Sequence, residues 1–254
     1  MLDYHVHVVA HGEYEYTREW VERYLEAARA QGIEELGLVE HDEFAHRIDR
    51  GLLAGLRQRP GLSPQVRAGL ECEYLPGREE EIRRLGRELD CDFLIGSVHF
   101  LDGWPFDHPD HVHGWDLRDV DEVYAAYYRM VAAAATSRLF DVIGHLDLVK
   151  IWGHRPRRRS ELEHVRPLLG VLRQAGTAVE INTAGLRKPV GEIYPAQVLL
   201  EALFEASVPV TLASDAHRPD DVGADLGAAV VAARRAGYRR VMGFVGRRAR
   251  ERVL

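Results

Sequence analysis

Short apolar runs rich in β-branched residues alternate along this chain with longer amphipathic stretches. The runs are LDYHVH, ELGLVEH, VRAGLECEY, DFLIGSVHF, LFDVIGHLDLV, AVEINTAG, PVTLASDAH and RRVMGFV, about eight candidate strands. Between them, helical spacing predicts helices over 17–31, 78–89, 119–136, 160–175, 195–206 and 221–237. Gly32 ends the first, and Ser160 with Glu163 makes a capping box for the fourth. Strand and helix in alternation imply a parallel sheet, and the number of units favours a closed α/β barrel over an open doubly wound sheet. No Pro/Gly/Ser-rich linker divides the chain, so residues 1–254 read as one domain. The longest irregular piece, residues 100–118, is expected to loop over the barrel mouth.

Composition narrows the function. With 46% hydrophobic and 29% charged residues the chain is an ordinary globular sequence. A formal charge of −7 and a pI near 6.0 argue against a nucleic-acid partner, whose backbone favours a basic field. No apolar run approaches the roughly 20 residues of a membrane helix, and no apolar segment precedes the first strand, so a soluble, cytoplasmic protein with no membrane partner is expected. Cys72 and Cys91 stand outside any CxxC pattern and read as reduced, buried thiols. Nothing in the pattern sets an oligomeric state.

The chemistry gathers at one repeated place, the end of each apolar run. His5 and His7 end the first, His41 the second, Glu71 the third, His99 the fourth, His145 the fifth, Glu180 the sixth, and Asp215 with His217 the seventh. In a barrel of parallel strands those ends form one face, where distant residues converge. Alternate residues on a strand point the same way, so His5 and His7 can share one cation, and Asp215 with His217 repeats the spacing. Imidazoles with carboxylates and no thiolate suit zinc, iron or manganese in a site that keeps positions open. His46, His108, His111, His113, His154 and His164 fall in helices and loops and read as ordinary histidines.

With these residues in view, DYHVH, EH at 40–41, GLECEY, IGSVHF, GHLDLVK, EINTAGLRKP and SDAHRPDDVG resemble, in order, the successive motifs of the polymerase-and-histidinol-phosphatase (PHP) family of phosphoesterases. The longer stretches resemble its histidinol-phosphate phosphatase branch. The resemblance implies an α/β fold, a distorted (β/α)7 TIM-like barrel one unit short of eight, with three divalent transition metal ions. Carried over, His5, His7, Glu71 and Asp215 would hold one metal, Glu71, His99 and His145 a second, and His41, His217 and His11 the third, with Glu13 the alternative to His11. Glu73 competes with Glu71 for the bridging place, and Glu180 either binds metal or orients a ligand or Asn182.

The implied reaction is hydrolysis of L-histidinol phosphate, with another small phosphate or a nucleotide end as the alternative substrate and a non-catalytic interaction module as the alternative class. Asp215 or His217 would carry protons to and from water and the leaving alcohol. Arg155 and Arg187, which follow strand ends, are the expected phosphate clamps, whereas Arg157, Arg158, Arg159 and the RRARER stretch at 247–252 read as solvated loops. Asp42, Glu43 or Asp107 would meet the substrate's ammonium, and Trp104, Phe106 or Trp152 its ring.

Overall fold

Seven of the apolar runs become strands of one parallel sheet whose spatial order is their sequence order. A computed structural model describes all residues, 1–254. The strands are β1 (Leu2–Val6), β2 (Glu35–His41), β3 (Gln65–Glu73), β4 (Phe93–Ser97), β5 (Val142–Ile143), β6 (Ala178–Asn182) and β7 (Val210–Ala213). Their residues are almost all buried, as expected of parallel strands covered on both faces. Around them run α1 (Arg18–Ala30), α2 (Arg50–Gln58), α3 (Glu79–Glu88), α4 (Val120–Thr136), α5 (Glu161–Ala175), α6 (Gln197–Glu205) and α7 (Leu226–Ala236). The sheet closes on itself through one parallel bridge, Val6 with Ala216, flanked by His7 N–H to Ala216 O at 2.8 Å and Ala216 N–H to His5 O at 3.3 Å. The fold is a nearly closed (β/α)7 barrel around a single core.

Local chemistry explains the helices. Thr17 Oγ1 accepts from Trp20 N to start α1, Asp119 caps α4, and Ser160 and Glu163 form the expected capping box of α5, which Gly176 ends at φ +70°. Periodicity missed α2, which carries two glycines in nine residues and depends on the Asp49 cap. The last helix begins at Leu226 rather than near 221, because Pro219–Asp221 forms a separate turn and Asp225 is left-handed.

The eighth run is not a barrel strand. RRVMGFV lies in β8 (Arg240–Val245), which pairs antiparallel with β9 (Arg248–Val253). This hairpin closes the bottom of the barrel: Phe244 N donates to Tyr4 Oη and Thr211 Oγ1 donates to Met242 O. The stretch 247–252, expected as a solvated loop, is therefore mostly strand, and Arg247 and Arg252 pair with Asp141 and Glu35 beneath the barrel. Residues 100–118 also fold, into a two-strand ribbon and a short 3₁₀ turn over Pro109–Trp115. Trp104, Phe106 and Trp115 bury themselves there as an extension of the main core, with Phe106 packed edge-on against Tyr127 of α4. Cys72 and Cys91 are buried and unpaired. No helix is long and apolar enough to cross a membrane.

Candidate metal centre

Strand register brings the first candidate ligands together. β2 and β3 run side by side with His41 opposite Glu71, and β3 pairs with β4 so that Glu73 faces Ser97. The Glu71 carboxylate is consequently buried at the centre of the C-terminal rim, and its two oxygens face two different groups of imidazoles. Oε2 lies 3.3 Å from His5 Nε2, 3.5 Å from His7 Nε2 and 2.9 Å from His41 Nδ1. Oε1 lies 3.1 Å from His145 Nε2 and 3.6 Å from His99 Nε2. Asp215 Oδ1 approaches the first group, 3.6 Å from His7 and 3.9 Å from His5.

Three sets of donor atoms each fall within 4.8 Å: His5, His7 and Glu71; Glu71, His99 and His145; and His7, His41 and His217. The third set holds His7 beside His41 and His217 and does not include His11, the residue expected there. His11 is stacked on the outer side of His217, ring centroids 4.4 Å apart, with its side chain 63% exposed. It sits on a turn after β1, where Glu13 Oε2 accepts from the His11 backbone N–H at 2.6 Å. Buried imidazole nitrogens with no hydrogen bond, His5 Nε2, His7 Nε2, His41 Nε2 and His217 Nε2 among them, would each cost stability in a site built without a cation. The donor set therefore fits divalent transition metals.

Carboxylates outside the cluster set the rings. Glu180 Oε2 accepts from His5 Nδ1 at 2.9 Å, while Oε1 accepts from His145 N at 2.8 Å and Asn182 Nδ2 at 2.7 Å. Glu73 accepts from His99 N and Nδ1 at 3.0 and 2.8 Å. Both acids fix the rings of candidate ligands through Nδ1, which leaves the Nε2 atoms to face the cluster. Ser97 Oγ, donating to Glu71 at 2.6 Å, and Glu40, accepting from the backbone of Val8 and Val9, were not predicted, although Glu40 precedes a ligand directly. Gly144 is required because a Cβ there would stand 2.4 Å from Ser97 Oγ, beside His145.

Electrostatics follow from this packing. Burial, with His41 and His217 alongside, holds His7 well below its ordinary value, and burial reinforced by His11 and His41 lowers His217 to about 4. Against the penalty of burial, His5 and His41 hold Glu71 well below the carboxylate range, and His5 and His7 do the same for Asp215. Burial also pushes His5 and His99 down, but the paired carboxylates win: Glu180, Glu71 and Asp215 hold His5 high, and Glu73 and Glu71 raise His99 to about 10. Ionised Glu71 and Asp215 stand beside His7 and His217, which are held neutral, and a cation there would compete with the protons that His5 and His99 otherwise keep.

Comparison with known proteins agrees with this geometry, since a model of the PHP domain matches residues 3–184. The chain belongs to the PHP family. Asp215 and His217 lie beyond the matched residues, and the closing of the barrel brings Asp215 against His5 and His7. A relative in Deinococcus radiodurans, named "Probable histidinol-phosphatase", is 41% identical over 199 residues, 78% of this chain and 69% of that protein. The Bacillus subtilis "Histidinol-phosphatase" is 27% identical over 270 residues, 87% of this chain and 95% of that one. The crystal structure of histidinol phosphate phosphatase from Lactococcus lactis, complexed with zinc, L-histidinol and phosphate, shares the fold at a TM-score of 0.77, with 21% identity and 98% of both chains covered.

Around this PHP-family rim the expected substrate groups divide. Arg155 is already committed, Nη1 to Glu161 at 2.5 Å and Nη2 to Glu192 at 2.7 Å, so its guanidinium fork is filled. Arg187 stays beside the centre, donating from Nη2 to the carbonyl of Ser214 at 2.7 Å, one residue from Asp215. Asp42 is paired with Arg78 at 2.8 Å and does not await an ammonium. Phe106 is wholly buried, and Trp104 lies under the Arg118 guanidinium, 4.1 Å from its ring centroid, so neither presents a free face. Asp215 has φ +55°, a left-handed backbone uncommon for a residue with a side chain and typical of positions held by their surroundings for function.

Proposed function

We propose that this chain hydrolyses L-histidinol phosphate to L-histidinol and phosphate with three divalent transition metal ions, zinc, iron or manganese. Glu71 carries the reading, because its two oxygens face two separate groups of imidazoles, as a carboxylate shared between cations must. The relatives' names supply the substrate class. His5, His7, Glu71 and Asp215 hold one ion; Glu71, His99 and His145 the second; His41 and His217 the third, with His11 or His7 completing it.

When bound, divalent ions in such a site lower the pKa of water and neutralise charge on a phosphoryl group. The protein supplies the rest. Glu180 and Glu73 fix the ring orientations of His5 and His99. Arg187 extends positive charge to the phosphate side of the rim. As water adds to phosphorus and the ester P–O bond breaks, one proton leaves water and one reaches the departing alkoxide. Asp215 or His217 moves them: their side chains are 16% and 26% exposed, enough to exchange protons with solvent, and Asp215 is ionised at neutral pH.

A substrate panel tests the assignment. Phosphate release from L-histidinol phosphate should proceed with a kcat/KM far above that for nucleotides and p-nitrophenyl phosphate. Comparable values across the panel would remove histidinol phosphate as the substrate, and no activity with zinc, iron or manganese would favour an interaction module.

A further inference from the structure

The proposed ligands stand on both sides of the barrel seam. His5 and His7 belong to β1, Asp215 and His217 to the loop after β7, and the strands share only the bridge at Val6 and Ala216. Two backbone hydrogen bonds, His7 N–H to Ala216 O and Ala216 N–H to His5 O, tie the two pairs together, and the rest of their spacing is left to side-chain contacts across the seam.

Asp3 lies in phase with His5 and His7, so its carboxylate enters the same interior face of β1. It is completely buried, and its polar contacts are all uncharged donors. Oδ1 accepts from Ser214 N at 2.9 Å and, at the long limit of 3.5 Å, from His5 N. Oδ2 accepts from Ser214 Oγ at 2.5 Å and from Gly223 N at 3.0 Å. A buried carboxylate without a cation is expensive to keep. Here three of the four donors come from across the seam, and Ser214 immediately precedes the left-handed Asp215.

We infer that Asp3 is a positioning residue of the metal centre. It clasps the 214–223 loop to β1 and so, together with those two backbone bonds, sets the spacing between the His5 and His7 imidazoles and the Asp215 carboxylate. The inference rests on the reading of His5, His7, Glu71 and Asp215 as one ligand set. Glu71, His99 and His145 come from other strands and receive no contact from Asp3.

Zinc titration of the purified protein against a chromophoric chelator tests the clasp in Asp3→Asn, Ser214→Ala, Asp215→Ala and the Asp3→Asn/Asp215→Ala double variant. Asp3→Asn keeps the volume but turns an NH₂ toward N–H and O–H donors. It should weaken one zinc equivalent by about 10- to 100-fold, the range for groups that orient metal ligands. Ser214→Ala, which loses one donor, should weaken the same equivalent by less and covers the case in which Asp3→Asn does not fold. In the Asp215→Ala background Asp3→Asn should add nothing. Wild-type zinc affinity in both Asp3→Asn and Ser214→Ala, or an equal Asp3→Asn effect with and without Asp215, overturns the clasp. Unchanged zinc binding in Asp215→Ala alone instead overturns the ligand reading beneath it.

Discussion

Replacing Glu180 by Gln keeps its volume but halves its accepting power. The carboxylate takes three N–H groups, from His5 Nδ1 on one oxygen and from His145 N and Asn182 Nδ2 on the other. An amide has one oxygen and cannot serve both sides, and two donors against one favour keeping it toward His145 and Asn182. The loss then falls on His5, where a hydrogen bond to a charged acceptor is worth about 1.5–3 kcal/mol. At about 1.4 kcal/mol per decade this is roughly a 10- to 100-fold weaker zinc affinity, matching what loss of a ligand-orienting group typically costs. The same unpaired N–H should destabilise the metal-free protein by about 1–3 kcal/mol, and at this chain length each kcal/mol moves Tm by about 2–4 °C. Chelator competition and calorimetry of the apoprotein measure both. Complete loss of one zinc equivalent, unrecovered in excess metal, would make Glu180 a ligand, and wild-type affinity would remove it from the centre altogether.

Three further outcomes follow from the rim. Arg187→Ala should lower kcat/KM for histidinol phosphate by about 10- to 100-fold, the worth of one charged hydrogen bond, read from steady-state phosphate release. Arg155→Ala should leave KM within about twofold and, because its ion pairs are part-exposed and screened, cost no more than about 1 kcal/mol in a denaturant titration. Asp42→Asn breaks the contact with Arg78 and should lower Tm, while changing kcat/KM for histidinol phosphate and for a neutral-alcohol phosphate by the same factor; a selective loss with histidinol phosphate would return Asp42 to the amine site.

The candidate ligands were legible because each lies at or just past the end of a buried strand, where an imidazole or carboxylate is conspicuous after an apolar run. His5, His41, Glu71 and His145 needed only strand order to converge. Their supports were harder to read. Asp3 carries the same phase as His5 and His7, yet its partners Ser214 and Gly223 lie more than 200 residues away and cannot be paired from one sequence. Arg155 and Arg187 each follow a strand end, and only packing decides that Glu161 and Glu192 fill the first fork. The eighth run has the composition of a barrel strand, but a tight turn at Gly246 and Arg247 folds it onto β9. The aromatics of residues 100–118 read as a mouth ready for a ring, and they bury one another instead.

Diffraction from crystals grown with metal and phosphate, recorded at the metal absorption edge, tests the central claim most directly. Three anomalous peaks at the rim, two of them sharing Glu71, are expected, with a phosphate oxygen against the metals. A single peak, or peaks that leave Glu71 uncoordinated, would contradict it.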